Sequence, residues 1–333
     1  MEIVISHISA LEYWRLVGSP GMPAAHRASR AELPAGPFRG PVPTELSNLS
    51  TPIHCLCGRK HKNHPGDVVF QHHQKAALPA GAVRILTPRI GVVSPELALA
   101  QSAELLSFAE LVGLMCEFCG TFSIADDAAH GMFSREPISC VRRLQAFERT
   151  ASDITGIRPF GTAAPYALDG SRSPAETAAA LLLSLPRVRG GYSLRGVELN
   201  RPILLASQAQ KNAGISRLKP DISWPGTQVC IEYDSDEFHR EQGRIANDAR
   251  RKNALIQSNL YVITLTKLQM ANRLEMDKVA KQAAAKMGKR WRCPDFQKQV
   301  KLRNELLGAT SALRRSSELL ARASQQTASP ARR

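Results

Sequence analysis

The stretch Lys219–His239, KPDISWPGTQVCIEYDSDEFH, sets three carboxylates within one strand–turn–strand pattern. Asp221 opens a first apolar segment, and Glu232 and Asp234 lie on a second segment beyond a Pro-Gly turn. Because side chains alternate along a strand, Glu232 and Asp234 share one face, and a hairpin brings Asp221 beside Glu232. Clustered carboxylates repel one another at neutral pH, and a hard divalent cation relieves that repulsion. The stretch therefore predicts a Mg²⁺ or Mn²⁺ site on two adjacent strands.

The composition predicts a globular protein of at least two domains. The chain has 333 residues, of which 43% are hydrophobic, which is enough for two separate cores. It contains no apolar run long enough for a membrane span and no signal-peptide pattern, so we expect a cytoplasmic protein that makes no membrane contact. Its seven cysteines are scattered, which does not favour a disulfide framework.

The charge of the chain predicts a polyanionic partner. The formal net charge is +15 and the isoelectric point is near 9.9, and nucleic acid is the first candidate for such a partner. The alternative is that coding bias alone inflates the arginine content. Phosphate contacts made by these residues would carry no base specificity.

Residues 1–155 are predicted to form an N-terminal α+β domain, regulatory or DNA-binding. Ser9 and Glu12 have the spacing of a capping box for a first helix, and Ser107 and Glu110 have it for a later one. Short strands and a proline-started helix at Ser94 lie between these two helices. Residues 156–172 have the composition of an interdomain linker.

Residues 173–290 are predicted to form an α/β layered domain. A helix from Ser173 to about Leu185 precedes several short strands, and an amphipathic helix follows at about 244–257. A buried strand at 260–265 and a helix at about 274–287 complete the domain. Residues 291–333 are predicted to be a basic helical tail. The overall fold class is thus α/β in the C-terminal domain and α+β for the whole chain.

The acids carry a family resemblance. Pro220-Asp221, a ten-residue gap and Glu232-Tyr233-Asp234 resemble the signature of the PD-(D/E)xK, or restriction-endonuclease-like, superfamily. The motif continues with His239 and with a DxxRxxxL pattern over Asp248–Leu255, as in domains of the very-short-patch-repair endonuclease group. The resemblance covers about a third of the chain. It implies an αβββαβ core and magnesium- or manganese-dependent hydrolysis of double-stranded DNA, in DNA repair or phage defence.

The resemblance also implies roles for individual residues. Asp221 and Glu232 would bind the metal, Asp234 would support metal or water, and His239 would assist proton transfer. Arg251 would position the acids or a phosphate. The chain departs from the family by carrying Asp234 where a lysine is common, so activation of water by a lysine is not available.

Each of these candidates keeps a structural alternative, which for Asp221, Glu232 and Asp234 is a solvated end of the sheet. Glu176 is either a fourth metal ligand or the capping-box glutamate of the helix that begins after Ser173. His239 either transfers protons or packs at the end of the strand. Arg251 either clamps a phosphate or pairs with Asp248 within its helix.

A second resemblance covers Ile90–Ser123, which contains SPELALAQSAELLSFAEL and CEFCG. It is similar to the N-terminal part of proteins related to the antitoxin of the abortive-infection E system, and implies a regulatory module with a toxin or defence partner. The alternative function is therefore an inactive nuclease fold that serves as a DNA-binding regulator. Cys116 and Cys119 are interpreted as small hydrophobic residues at a helix end, not as zinc ligands.

Overall fold

The computed structural model describes residues 1–18, 26–27, 33–64, 67–74, 77–128, 130–204, 217–234, 255, 258–308 and 321. The described residues divide into two compact units, one within residues 1–167 and one within residues 168–308. Each unit mixes helices with sheet, which confirms the mixed α/β class. No described helix is long and apolar enough to cross a membrane.

The first unit is built on a six-stranded sheet with the strand order β2-β5-β6-β1-β3-β4. Strand β1 lies at the centre, parallel to β6 and antiparallel to β3. The strands of the sheet are β1 (Ile3–Ile5), β2 (His26–Arg27), β3 (Ile53–Cys57), β4 (Val69–His73), β5 (Val83–Ile85) and β6 (Ile90–Val93).

Helices and a small hairpin complete the first unit, and its core is mainly aliphatic. Cys116 and Cys119 are buried at the end of the third helix, as predicted for small hydrophobic residues. The helices are α1 (His7–Leu16), α2 (Pro95–Ser102), α3 (Phe108–Phe118), α4 (Val141–Thr150) and α5 (Ile157–Ala163), and the hairpin strands are β7 (Phe122–Ile124) and β8 (Met132–Ser134).

A histidine cluster, His7, His54 and His72, lies where α1 meets β3 and β4. His54 Nδ1 and His72 Nε2 are 2.8 Å apart and hydrogen-bonded, and the rings of His7 and His72 stack at 3.6 Å between centroids. Burial lowers the pKa of His54 to about 4, and burial together with the charge of His54 lowers the pKa of His72 to about 3. Burial also lowers the pKa of His7 well below its usual value. The cluster is therefore neutral at pH 7.

The boundary between the units differs from the predicted linker at 156–172. Helix α5 lies inside that range and its Phe160 is fully buried, with the ring edge-on to Phe147 of α4 at 5.7 Å between centroids. The first unit therefore extends to Ala167. The composition of residues 156–172 suggested a linker because glycine and proline punctuate both loops and short packed helices.

The second unit has a four-stranded sheet in the order β14-β13-β12-β9. Strands β9, β12 and β13 pair antiparallel, and β13 pairs parallel with β14. Its elements are α6 (Pro174–Ser184), β9 (Glu198–Leu199), β10 (Ile203–Leu204), β11 (Arg217–Leu218), β12 (Ile222–Ser223), β13 (Val229–Asp234), β14 (Tyr261–Thr266), α7 (Lys267–Ala271), α8 (Arg273–Lys286) and α9 (Phe296–Leu307).

The parallel pair β13 and β14 requires a crossover connection, because a tight turn joins only antiparallel strands. The helix predicted at about 244–257 falls on this connection and lies outside the described residues except for Leu255. Leu255 is helical and fully buried, and it packs with Leu218, Leu260 and Val262. The last residue of the DxxRxxxL pattern is thus a core residue.

Helix α9 belongs to the second unit, although its sequence was predicted to be part of a basic tail. Gln299, Leu302 and Leu306 are buried, and Gln299 Nε2 donates to the hydroxyl of Tyr192 at 2.6 Å. A basic tail that binds nucleic acid is exposed to solvent, whereas this helix buries one of its faces within the second unit. The predicted tail therefore begins, at the earliest, after Gly308.

Gly190 allows α9 to approach the turn that follows α6. Its φ of +92° favours glycine, and a Cβ added there would collide with the carbonyl oxygen of Lys298. Gly196 has a similar φ of +82° but has open space where a Cβ would lie. We expect Gly190→Ala to destabilise the second unit by ~3 kcal/mol or more, and Gly196→Ala by only ~1 kcal/mol. Denaturant unfolding of both variants measures the difference, and equal losses would contradict the close approach of α9.

Candidate metal centre

The hairpin predicted at Pro225-Gly226 is confirmed. The Thr227 N–H donates to the Trp224 carbonyl at 3.0 Å, and Gly226 has a φ of +78°, as a type II turn requires at its third position. Strands β12 and β13 pair antiparallel on either side of it, with Ile222 opposite Ile231. The next pair in this register is Asp221 with Glu232.

Asp221 is fixed against the neighbouring strand. Its side chain is mostly buried, at 9% exposed, and its Oδ2 accepts a hydrogen bond from the Tyr233 N–H at 2.8 Å. That donor belongs to the residue directly after Glu232, so the carboxylate of Asp221 lies alongside the Glu232 backbone.

Glu232 and Asp234 lie where β13 leaves the core. Cys230 and Ile231 point to opposite faces and are both fully buried, so the sheet is covered on both sides up to that point. Glu232 and Asp234 are half-buried and are paired in register with Thr264 and Thr266 of β14. The end of the sheet therefore carries polar side chains on both of its parallel strands.

Ser173 caps helix α6, and the Glu176 carboxylate lies at the same helix end without forming the reciprocal bond of the predicted capping box. The Glu176 N–H donates to Ser173 Oγ at 3.1 Å, and Glu176 Oε2 accepts from the Arg172 N–H at 3.1 Å. Burial and the charge of Asp221 raise the pKa of Glu176, while an Asn200 hydrogen bond opposes the shift. Glu176 thus lies close enough to Asp221 for the two charges to repel each other.

Asn200 joins these two acids, and sequence reasoning missed it. Its Nδ2 donates to Glu176 Oε2 at 2.8 Å and to the Gly170 carbonyl at 3.1 Å, and its N–H donates to the Asp221 carbonyl at 3.1 Å. Because both side-chain partners are acceptors, the amide orientation is fixed. Asn200 Oδ1 is buried and has no hydrogen-bond donor within the described part of the chain.

These residues form a polar row across the end of the sheet. The pairing of β9 with β12 places Asn200 next to Asp221, the pairing of β12 with β13 places Asp221 next to Glu232, and Glu232 is paired with Thr264. The polar row is therefore Asn200, Asp221, Glu232 and Thr264, one residue from each strand or its end. The only sequence signal for Asn200 was an asparagine directly after a short strand, where a φ of +50° is tolerated.

Two predicted site residues, His239 and Arg251, lie outside the described residues, as does Asp248. Among the residues the structure does describe, no group of three or more histidine, cysteine, aspartate or glutamate side chains is arranged to hold a metal ion. No family model, curated protein or solved structure matches the chain.

The repulsion between Glu176 and Asp221 predicts a stabilising substitution. Asp221→Asn keeps an oxygen to accept the Tyr233 N–H but removes the charge that raises the pKa of Glu176. In the pH range where Glu176 is ionised, we expect a gain of ~1 kcal/mol, which is roughly 3 °C in Tm for a unit of this size. The gain should shrink as the pH falls and Glu176 becomes protonated.

Calorimetry of the second unit's transition in the intact protein, without added metal, measures this gain. Glu198→Gln is the matched control, because Glu198 lies on β9 of the same sheet with its side chain half exposed. The control should change Tm by less than ~1 °C. A destabilised Asp221→Asn variant would mean that the two carboxylates do not repel each other.

Proposed function

We propose that the chain is a metal-dependent DNA endonuclease whose second unit has a restriction-endonuclease-like fold. The polar row is the observation that carries the proposal. It gathers two carboxylates and a buried amide oxygen at the end of a sheet in which three antiparallel strands are followed by a parallel one. The order of helix α6, strands β9, β12 and β13, and then β14 supports the proposal. The second helix of an αβββαβ core would fall on the connection between β13 and β14, of which only Leu255 before residue 258 is described.

The donor set of the polar row fits a hard divalent cation. Asp221 and Glu232 would hold Mg²⁺ or Mn²⁺, because such ions prefer carboxylate oxygens and Mg²⁺ commonly takes only one or two carboxylates, with waters and phosphate oxygens filling its other positions. The unsatisfied Asn200 Oδ1 supports a cation or a cation-bound water nearby, because a buried acceptor without a donor is costly. A cluster of three or more protein ligands is not required for such a site.

Each residue of the site would have a separate role in phosphodiester hydrolysis. A bound divalent ion supplies an activated water and neutralises charge on the phosphate. The Tyr233 N–H holds the Asp221 carboxylate in place, and Asn200 and the helix N-terminus hold Glu176. Asp234 takes the position at which the superfamily often has lysine, and would orient water through its carboxylate. His239 would transfer a proton, and Arg251 would hold a phosphate.

The proposal is tested by incubating the purified protein with supercoiled plasmid in magnesium, in manganese and in EDTA. We expect nicked or linear product only when a divalent ion is present. Heat-inactivated protein and a mock purification control for a contaminating nuclease. Absence of metal-dependent product on both double-stranded and single-stranded DNA would refute the proposal.

A second candidate function is a DNA-binding regulator that keeps the fold without catalysis, partnered by a toxin or another defence protein. It is favoured by the engagement of the Glu176 carboxylate with Arg172 and Asn200, together with the lack of a three-acid cluster in the described residues. This function predicts DNA binding that is independent of metal. It also predicts that the double substitution Asp221→Asn with Glu232→Gln leaves that binding and any repression intact.

A further inference from the structure

The segment 278–292, which covers the second half of α8 and the turn after it, carries an exposed positive surface. It holds six lysines and arginines and no aspartate or glutamate. All six side chains are exposed, and that of Lys278 is 73% exposed. This surface, called here the basic face, consists of Lys278, Lys281, Lys286, Lys289, Arg290 and Arg292.

The acids that the structure describes near this surface leave most of its charge uncompensated. Glu275 pairs with Lys278 at 2.7 Å, which offsets one of the six charges. Asp277 turns inward, where its Oδ1 accepts from the hydroxyl of Tyr192 at 2.7 Å and its side chain is 15% exposed. An exposed cluster of like charges costs free energy through self-repulsion, and an anionic partner relieves that cost.

Three of the lysines are held in place by contacts that leave their charge available. The Lys281 ammonium lies 6.0 Å from the centroid of the Trp291 ring, and the Lys286 ammonium lies 4.4 Å from that of Tyr261. Lys289 Nζ donates to the Arg195 carbonyl at 3.2 Å. None of these partners is an acid. A lysine that is already oriented loses less side-chain entropy when it binds a phosphate.

The same contacts favour binding to the phosphate backbone of a nucleic acid over stacking with its bases. Single-stranded nucleic acid is bound by open aromatic faces on which bases stack. Here Lys286 covers the Tyr261 ring, Lys281 approaches the Trp291 ring, and the Tyr261 hydroxyl accepts a hydrogen bond from Gln282 at 2.8 Å. Rings engaged in this way serve to orient lysines. The chemistry left to a ligand is that of phosphate groups.

The basic face is distinct from the polar row. Tyr261 is paired with Val229 at the start of the parallel strands, whereas Glu232 is paired with Thr264 three residues further on. At 3.3 Å per residue that offset is ~10 Å along the sheet. Helix α8 has 14 residues and is ~21 Å long, enough to follow several phosphates of one strand.

We propose that the basic face binds the phosphate backbone of duplex DNA and holds it beside the polar row. The inference rests on the proposed function only for the identity of the polyanion, because the face itself is defined by charge and geometry. Binding at this face requires no metal. It should also be independent of base sequence, since all the contacts are to phosphates.

The test measures binding of the full-length protein to a fluorescent DNA duplex by anisotropy in EDTA, between about 50 and 200 mM salt. The variant carries Lys278→Gln, Lys281→Gln, Lys286→Gln and Lys289→Gln. The matched control removes four exposed charges from the first unit, with Arg59→Gln, Lys60→Gln, Lys62→Gln and Arg149→Gln. Far-UV circular dichroism of both confirms folding, which is expected because every substituted residue is exposed.

We expect the Lys278–Lys289 variant to bind the duplex at least tenfold more weakly than the parent. A plot of log binding constant against log salt concentration should have a slope shallower by about one for each phosphate that the variant no longer neutralises. The control should bind within about twofold of the parent. Equal losses in both variants would show that net charge, and not the basic face, governs binding, and would overturn the proposal. The same comparison is made with single-stranded DNA, RNA and anionic vesicles. If the variant binds one of these more weakly than the parent but binds the duplex equally well, the assignment to duplex DNA is overturned.

This experiment separates the basic face from the nuclease proposal. Because it is done in EDTA, failure of cleavage leaves its result intact. Conversely, a Lys278–Lys289 variant that binds duplex like the parent overturns the basic face even if the parent cleaves plasmid.

Discussion

Replacing Glu232 with glutamine is expected to lower metal-dependent cleavage of plasmid DNA by ~10³-fold or more while leaving duplex binding in EDTA within about twofold. Glutamine has nearly the same shape as glutamate and is accommodated where β13 leaves the core. It removes one of the two negative charges that would hold the ion. The loss should appear in the rate of cleavage at saturating DNA, because the basic face lies elsewhere on the second unit.

Glu198→Gln serves as the control for this substitution, because Glu198 is an exposed glutamate on β9 of the same sheet. It should cleave at the parental rate. A Glu232→Gln protein that cleaves as fast as the parent would remove Glu232 from the site. A variant that loses both cleavage and duplex binding would point to misfolding, and its circular dichroism spectrum decides between the two.

Acid is expected to destabilise the first unit steeply through the histidine cluster. His54 and His72 have pKa values lowered to about 4 and about 3, whereas an unfolded histidine titrates near 6.5. Between about pH 4 and 6.5 the unfolded chain therefore binds more protons than the folded one, so stability is complete above that window and is lost as the pH falls through it. Two such groups give a slope approaching ~2.7 kcal/mol per pH unit, before the contribution of His7.

His7→Asn tests the cluster directly. Asparagine tolerates the positive φ of His7, which is +52°, and cannot take up a proton. Denaturant unfolding at several pH values should give a slope shallower by up to ~1.4 kcal/mol per pH unit. The exposed His61 provides the control through His61→Gln, which should leave the slope unchanged. An identical slope in His7→Asn and the parent would mean that His7 is not neutral in the folded state.

The local features that the sequence predicted best were those determined by neighbouring residues. Pro225 and Gly226 meet the requirements of a type II turn by themselves, and Ser107 with Glu110 forms the expected capping box. The same logic was wrong at Ser9 and Glu12, because Ser9 Oγ accepts from the His54 N–H and Glu12 bonds Ser50. The helix there begins at His7, since contacts with β3 outweigh the local cap.

The parts of the site that were missed depend on partners distant in the sequence. Asn200 acquires its role from the pairing of β9 with β12 and from Glu176 on a preceding helix. Thr264 acquires its place in the polar row from the parallel pairing of β13 and β14. Neither pairing is encoded in residues near Asn200 or Thr264, so no pattern within the segment predicts them. By contrast, Asp221 and Glu232 were predictable because one tight turn joins their strands.

Direct measurement of Mn²⁺ binding tests the central claim, that Asp221 and Glu232 hold a divalent ion. Titration of the metal-free protein with Mn²⁺, followed by electron paramagnetic resonance, reports the free ion without requiring turnover. We expect one bound Mn²⁺ per chain in the parent protein, competed by Mg²⁺, and at least tenfold weaker binding in Asp221→Asn and in Glu232→Gln. Equal Mn²⁺ binding by the parent and both variants, or none by the parent, would contradict the account.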